Sequence, residues 1–139
     1  MGKQLAGSPC EIVGVPIELS AGEVRASIAG TIEKAIRRFG FAIELPKTIH
    51  LLDGYQGQGR AAVAEEDLAT IVCLAQQEGL LLDPVYTVKA LAGLLDTLGR
   101  DATALGQRVC FIHTGGRFSL FPFPDRLSRF LDGAAWPRA

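Results

Sequence analysis

The sequence predicts an α/β fold, a partial parallel sheet flanked by helices. Short β-branched runs alternate with amphipathic helical patterns along the chain, the order that lays strands in parallel with helices on the sheet faces. Glycine-containing loops follow two of the predicted strands, at 53–60 and 114–116; in open α/β sheets, ligands bind outside the carboxyl ends of the strands. Hydrophobic residues make up 48% and charged residues 21% of the 139 residues, enough apolar mass for the core of one domain.

In chain order, residues 11–17 (EIVGVPI) read as a short buried strand, weakened at its end by Pro16. Ser20 and Glu23 have capping-box spacing, in which each side chain satisfies an orphan amide of a first helical turn. Val24, Ile28, Ile32, Ala35, Ile36 and Phe39 then line one helical face, and Gly40 is placed to end the helix in a left-handed conformation. Residues 41–46 form a short strand or a connector, and 48–52 (TIHLL) a second strand. A second helix is predicted over 64–78, with Glu65, Glu66 and Asp67 at its positive end, Leu68, Ile71, Val72 and Ala75 inward, and Gly79 as its stop. Asp83-Pro84 marks a turn, because the residue before proline avoids helix. A third helix runs from 85 or 86 to 98 with Leu91, Leu94, Leu95 and Leu98 inward. Residues 108–113 (RVCFIH) read as the clearest strand, and a short helix over 124–131 closes the chain.

The formal net charge is −1 with acids and bases mixed, which excludes a nucleic-acid footprint and points to a small ligand. Cys10, Cys73 and Cys110 are scattered and odd in number, so neither a disulfide framework nor a zinc site is expected, and a reducing cytosol fits. Cys73 and Cys110 sit in apolar runs and read as small buried hydrophobes. No stretch approaches the ~20 apolar residues of a membrane helix, and the first residues hold no apolar core of signal-peptide length. The expectation is a cytoplasmic chain with no membrane partner. His113 and His50 read as packed, hydrogen-bonded histidines, and no spacing suggests a metal.

The first glycine loop carries Gly54, Gly57 and Gly59, a GxxGxG order without the Lys-Ser/Thr of a phosphate loop. It reads as an ordinary loop. Asp83-Pro84-Val85-Tyr86-Thr87 places a phenol and a hydroxyl at a helix start. On the residues alone they are either core-edge side chains or groups offered to a ligand.

Two longer motifs add to this reading. Residues 79–94 (GLLLDPVYTVKALAGL) closely match the pattern G-(I/V)-LLDPVYTGKA-x-AGL, and 111–116 (FIHTGG) match a second signature at a fitting separation. On these motifs the chain resembles the D-cysteine desulfhydrase and aminocyclopropane-carboxylate deaminase family, from about Ser8 to Phe121. The resemblance implies the fold of tryptophan synthase β-like (fold type II) enzymes, with residues 1–139 as a single α/β unit, a C-terminal fragment of the cofactor-binding large domain. It implies pyridoxal 5′-phosphate as cofactor and a small amino acid as substrate, eliminated across its α and β carbons to sulfide, pyruvate and ammonia. Tyr86 resembles the active-site tyrosine, and Thr114 the hydroxyl that hydrogen-bonds the pyridine nitrogen. Thr87 resembles a neighbouring residue that is Thr on the desulfhydrase side and Glu on the deaminase side, and Gly115 falls in the same cofactor-binding turn.

Three departures accompany the match. The family's Gly-Tyr-Gly is Gly59-Arg60-Ala61 here, its Thr-Gly-Lys is Thr87-Val88-Lys89, and Lys3, Lys34, Lys47 and Lys89 do not match the Schiff-base lysine motif. Three readings stay open: a fragment inactive alone, a chain complemented by an N-terminal partner, or a stand-alone α/β binding or interaction module with an altered pocket. An incomplete sheet also implies homo-oligomerisation or self-association.

Overall fold

The computed structural model describes residues 1–56 and 62–131. Helix α1 (Gly2–Leu5) precedes strand β1 (Val13–Gly14), helix α2 (Ala21–Phe39) and strand β2 (His50–Leu51). Helices α3 (Glu65–Glu78) and α4 (Thr87–Arg100), a 3₁₀ turn (Arg117–Leu120) and helix α5 (Pro124–Ser128) follow.

β1 and β2 pair in parallel, Val13 with His50 and Gly14 with Leu51, so β1, α2 and β2 form the crossover that a parallel pair requires. Gly14 permits this approach, since a Cβ there would lie 2.9 Å from the Leu51 side chain. α2 starts as its spacing predicts. Ser20 Oγ accepts from the Glu23 amide at 3.3 Å, and the Glu23 carboxylate accepts from the Ser20 amide at 3.0 Å. It ends at Gly40, whose φ of 64° lies in the left-handed region. α3 ends the same way at Gly79.

The core lies between α3, α4 and α5 rather than on the sheet. Leu68, Ile71, Leu74, Leu82, Val88, Leu91 and Leu120 are buried together, with Phe111, Phe123, Leu127 and Phe130 packed against them. Arg126 ties α5 to the start of α3 by donating to Glu65 at 2.8 Å and to the Val63 carbonyl at 2.9 Å. The sheet reaches α4 at Gly93, where a Cβ would stand 3.1 Å from the Tyr55 ring and 3.2 Å from Val15.

Several expectations change. Residues 108–113 join no ladder among the described residues, because β1 and β2 pair only with each other. A strand is a pairing, and the β-branched pattern alone cannot supply the partner. Cys110, predicted buried in that strand, is consequently exposed, whereas Cys73 is buried in α3. Leu95, predicted inward, is exposed, since the core takes the α4 face that carries Val88, Leu91 and Leu94. On α2 only Ala21 is buried. Phe39 is exposed, and the rest of the apolar stripe is half-buried because no other helix packs closely on it. The closing helix is shorter than the predicted 124–131. No described helix is long and apolar enough to cross a membrane.

The core places the stability. Leu68→Ala, at a fully buried position, is expected to cost about 2–5 kcal/mol. Ile32→Ala on half-covered α2 should cost less than about 1.5 kcal/mol. Urea melts of both variants check the ranking.

Candidate functional site

The site is built from the turn that enters α4. Asp83 is fully buried, and its carboxylate organises this turn. Oδ1 accepts from the amides of Val85 at 2.9 Å and Tyr86 at 2.7 Å. Oδ2 accepts from the Thr87 amide at 2.8 Å and the Thr87 hydroxyl at 2.6 Å. The Thr87 hydroxyl in turn accepts from the Asp83 amide at 2.7 Å. Burial alone would raise the Asp83 pKa, but the Thr87 side-chain bond and the three amide bonds outweigh it and hold the carboxyl below its ordinary 3.8.

The turn at Thr114 is pressed onto this carboxylate. Gly115 and Gly116 have φ of 92° and 95°, and a Cβ on Gly116 would fall 2.8 Å from Asp83 Cγ. Only glycine allows that approach. A cavity of about 190 Å³ opens beside it, lined by Val15, Ile17, Tyr86, Thr87, Ala90, Ile112 and Thr114. It lies just past the carboxyl end of β1, where ligands of open α/β sheets sit.

The structure therefore brings Tyr86, Thr87 and Thr114 together. Tyr86 is half exposed; Thr87 is buried with its hydroxyl engaged by Asp83. Gly115 adjoins the cavity without lining it. The walls Val15, Ile17, Ala90 and Ile112 escaped the sequence reading; Val15 and Ile17 carry the period-two signal of a strand end, while Ala90 and Ile112 carry no signal of their own. Asp83 was read as a turn marker and is the organiser. The signal for it is its spacing before a helix, a carboxylate ahead of free amides.

Val88, a departure from the family motif, is fully buried in the core and does not line the cavity. Gly59, Arg60 and Ala61 lie outside the described residues. Tyr55, near that loop, is held elsewhere. Its hydroxyl donates to Asp96, which pushes the phenol's pKa up, and its ring rests on Gly93. Lys89 is buried on α4, and its Nζ donates to the carbonyls of Ala62 at 3.0 Å and Gln56 at 3.4 Å.

No charged side chain lines the cavity among the described residues. The starts of α2, α3 and α4 are each covered by a carboxylate: Glu23 on the Ser20 amide, Asp67 on the Ala64 amide, Asp83 on the amides of residues 85–87. A helix start binds phosphate through free amides and positive potential; at α4 the amides of residues 85–87 are taken by Asp83, whereas at α2 and α3 the carboxylate meets only the N-cap amide. Among the described residues no group of histidines, cysteines and carboxylates could hold a metal. The cavity has apolar walls and three hydroxyl-bearing residues, Tyr86, Thr87 and Thr114, in its lining.

Such a fold and site define an α/β unit that presents one side of a small-ligand pocket at the end of a parallel strand. No protein-family model matches the chain. It is similar to the D-cysteine desulfhydrase of Yersinia pestis (strain Pestoides F), 38% identical over 123 residues, 88% of this chain and 37% of that protein. It is 39% identical over 113 residues to the D-cysteine desulfhydrase of Serratia proteamaculans (strain 568), 81% of this chain and 34% of that protein. The corresponding match in Klebsiella pneumoniae (strain 342) is 33% identical over 117 residues, 84% and 35% of the two chains. A crystal structure described as an ACC deaminase homologue superposes with a TM-score of 0.79 at 29% identity, covering 94% of this chain and 38% of that one. By sequence and fold the chain is similar to the D-cysteine desulfhydrases and the ACC deaminase homologue, and it spans a little over a third of their length.

Asp83 is the residue to perturb. Asp83→Ala strands three amides and the Thr87 hydroxyl and is expected to cost about 2–4 kcal/mol. The carboxyl's folded pKa is depressed, so the stabilisation is complete above the ordinary carboxylate range and is lost as pH falls through the folded value. Denaturation of wild type and Asp83→Asn across pH should show a constant gap near neutrality that closes in acid.

Proposed function

We propose that this chain carries the ring-facing side of a pyridoxal 5′-phosphate site in a lyase of the D-cysteine desulfhydrase type. The substrate is D-cysteine or a related small amino acid, eliminated to sulfide, pyruvate and ammonia. What supports the reading most is the uncharged cavity that joins Tyr86 of one motif to Thr114 of the other. Bound pyridoxal phosphate supplies an electron sink for breaking a bond at the amino acid's α carbon. Thr114 would hydrogen-bond the pyridine nitrogen as a neutral partner, with Gly115 completing its turn. Tyr86 would face the substrate and hold or move a proton at its phenol oxygen. Thr87 and Asp83 keep Tyr86 in place, and Val15, Ile17, Ala90 and Ile112 exclude water from the ring.

The covalent lysine and the phosphate contacts come from another polypeptide segment in this reading. Lys3, Lys34, Lys47 and Lys89 do not line the cavity, and the amides at the start of α4 beside it are taken by Asp83. Ile112, Phe118 and Phe121 are each at least 74% exposed, which supports a complementing chain or a homo-oligomer covering that side. The three free cysteines suit the reducing cytoplasm. A stand-alone module with an altered pocket loses one of its two supports, since Val88 faces the core.

The chain alone is expected to release no sulfide from D-cysteine. Mixing it with the remaining part of the Yersinia pestis relative should restore release, and Tyr86→Phe in that mixture should lower it by about tenfold or more. Turnover by the chain alone would overturn the division of the site. A mixture that forms a complex without activity would overturn the function.

A further inference from the structure

We infer that His113 is a positioning residue for the Thr114 hydroxyl, acting as a neutral imidazole that carries its proton on Nε2. The inference rests on the reading of Thr114 as the ring-facing hydroxyl. Its basis is a pair of main-chain partners that leave the imidazole one tautomer. The Gly115 amide can only donate, so Nδ1, 2.9 Å away, accepts. The Leu81 carbonyl can only accept, so Nε2, 3.0 Å away, carries the proton and donates.

One side chain thereby ties the turn at Thr114 to the strand-like segment that leads into Asp83. Thr114 lies between the two residues joined by the Nδ1 bond, so the bond fixes the backbone on both sides of its hydroxyl. The tie has work to do because residues 108–113 join no ladder among the described residues, and Ile112 beside it is 74% exposed. Gly115 and Gly116 hold positive φ values, a conformation that glycine reaches freely and therefore does not hold by itself. Asp83 blocks Gly116 from one side by contact; His113 supplies the directional bond. The second proton of an imidazolium would sit on Nδ1 and displace the Gly115 amide. Glu78 and Asp83 flank the Leu81 segment, Tyr86 stands across the cavity, and Arg108 and Arg117 flank the turn. Asp83 is held ionised by its own hydrogen bonds.

The test is nuclear magnetic resonance on the isotope-labelled 139-residue chain, with pyridoxine as the ring probe because it carries no phosphate. The imidazole nitrogens should report the Nε2–H tautomer, and a scalar coupling should cross the hydrogen bond from the Gly115 amide to Nδ1. His113→Asn places an oxygen where Nδ1 stands and should keep the pyridoxine-induced shift at Thr114. His113→Gln reaches only the Nε2 position and should weaken pyridoxine binding about fivefold or more. An Nδ1–H tautomer, no coupling between the Gly115 amide and Nδ1, or equal binding by the two variants would overturn the inference. If pyridoxine leaves Thr114 unmoved in the wild type while tautomer and Gly115 coupling are as stated, the ring-site reading above fails and the tie itself is upheld.

Discussion

The structure depends on one buried carboxylate. Asp83 holds three successive amides and a hydroxyl at the start of α4, and the glycine turn of the second motif rests against its side chain. A buried carboxylate is costly unless its lone pairs are filled. Here they are filled by local main chain, so the charge is stabilised and the turn has one conformation. Tyr86 points where that turn sends it, Thr87 is locked by its own hydroxyl, and Val88 is delivered into the core. The residues lining the cavity and the residues holding the fold are therefore consecutive in the chain.

The same carboxylate chemistry shapes what the cavity accepts. Each of the three long helices begins under a side-chain oxygen from its own first turn or just before it. That stabilises the helices, and at α4, beside the cavity, it uses the amides that could otherwise hold a phosphate. The cavity is left apolar and uncharged, with hydroxyl groups at its rim. Lys89, the one lysine on α4, turns away to the carbonyls of Gln56 and Ala62. It acts as a clamp on that connection, next to Asp67, whose pKa burial pushes up against the smaller opposing effects of the Ala64 amide and the lysine's charge.

Local rules read well from the sequence. The capping box at Ser20 and the left-handed stops at Gly40 and Gly79 appear where the spacing put them, because each involves groups only a few residues apart. The two motifs were also legible, and the structure joins them through Asp83 and Gly116. Residues 108–113 and Cys110 were misjudged for one reason. A β-branched pattern reports fitness for a sheet, and exposure then depends on whether a partner strand is present. Leu95 shows the same limit on a helix, where the inward arc depends on which neighbour packs and at what angle.

By itself, the sequence determined the family resemblance, the α/β alternation, the stops of α2 and α3 and the residue types available for chemistry. These follow from short-range hydrogen bonding and from motifs that are contiguous in the chain. Only the tertiary structure decided that the core lies among α3, α4 and α5, that Tyr86, Thr87 and Thr114 share a cavity with Val15 and Ile112, and that His113 serves a main-chain turn. Those outcomes join residues far apart in the chain, through packing against Gly93 and Gly116 that no local pattern encodes. The physical reason is range: a cap is settled within one helical turn, whereas a cavity wall or a tautomer is settled by whichever distant group arrives beside it.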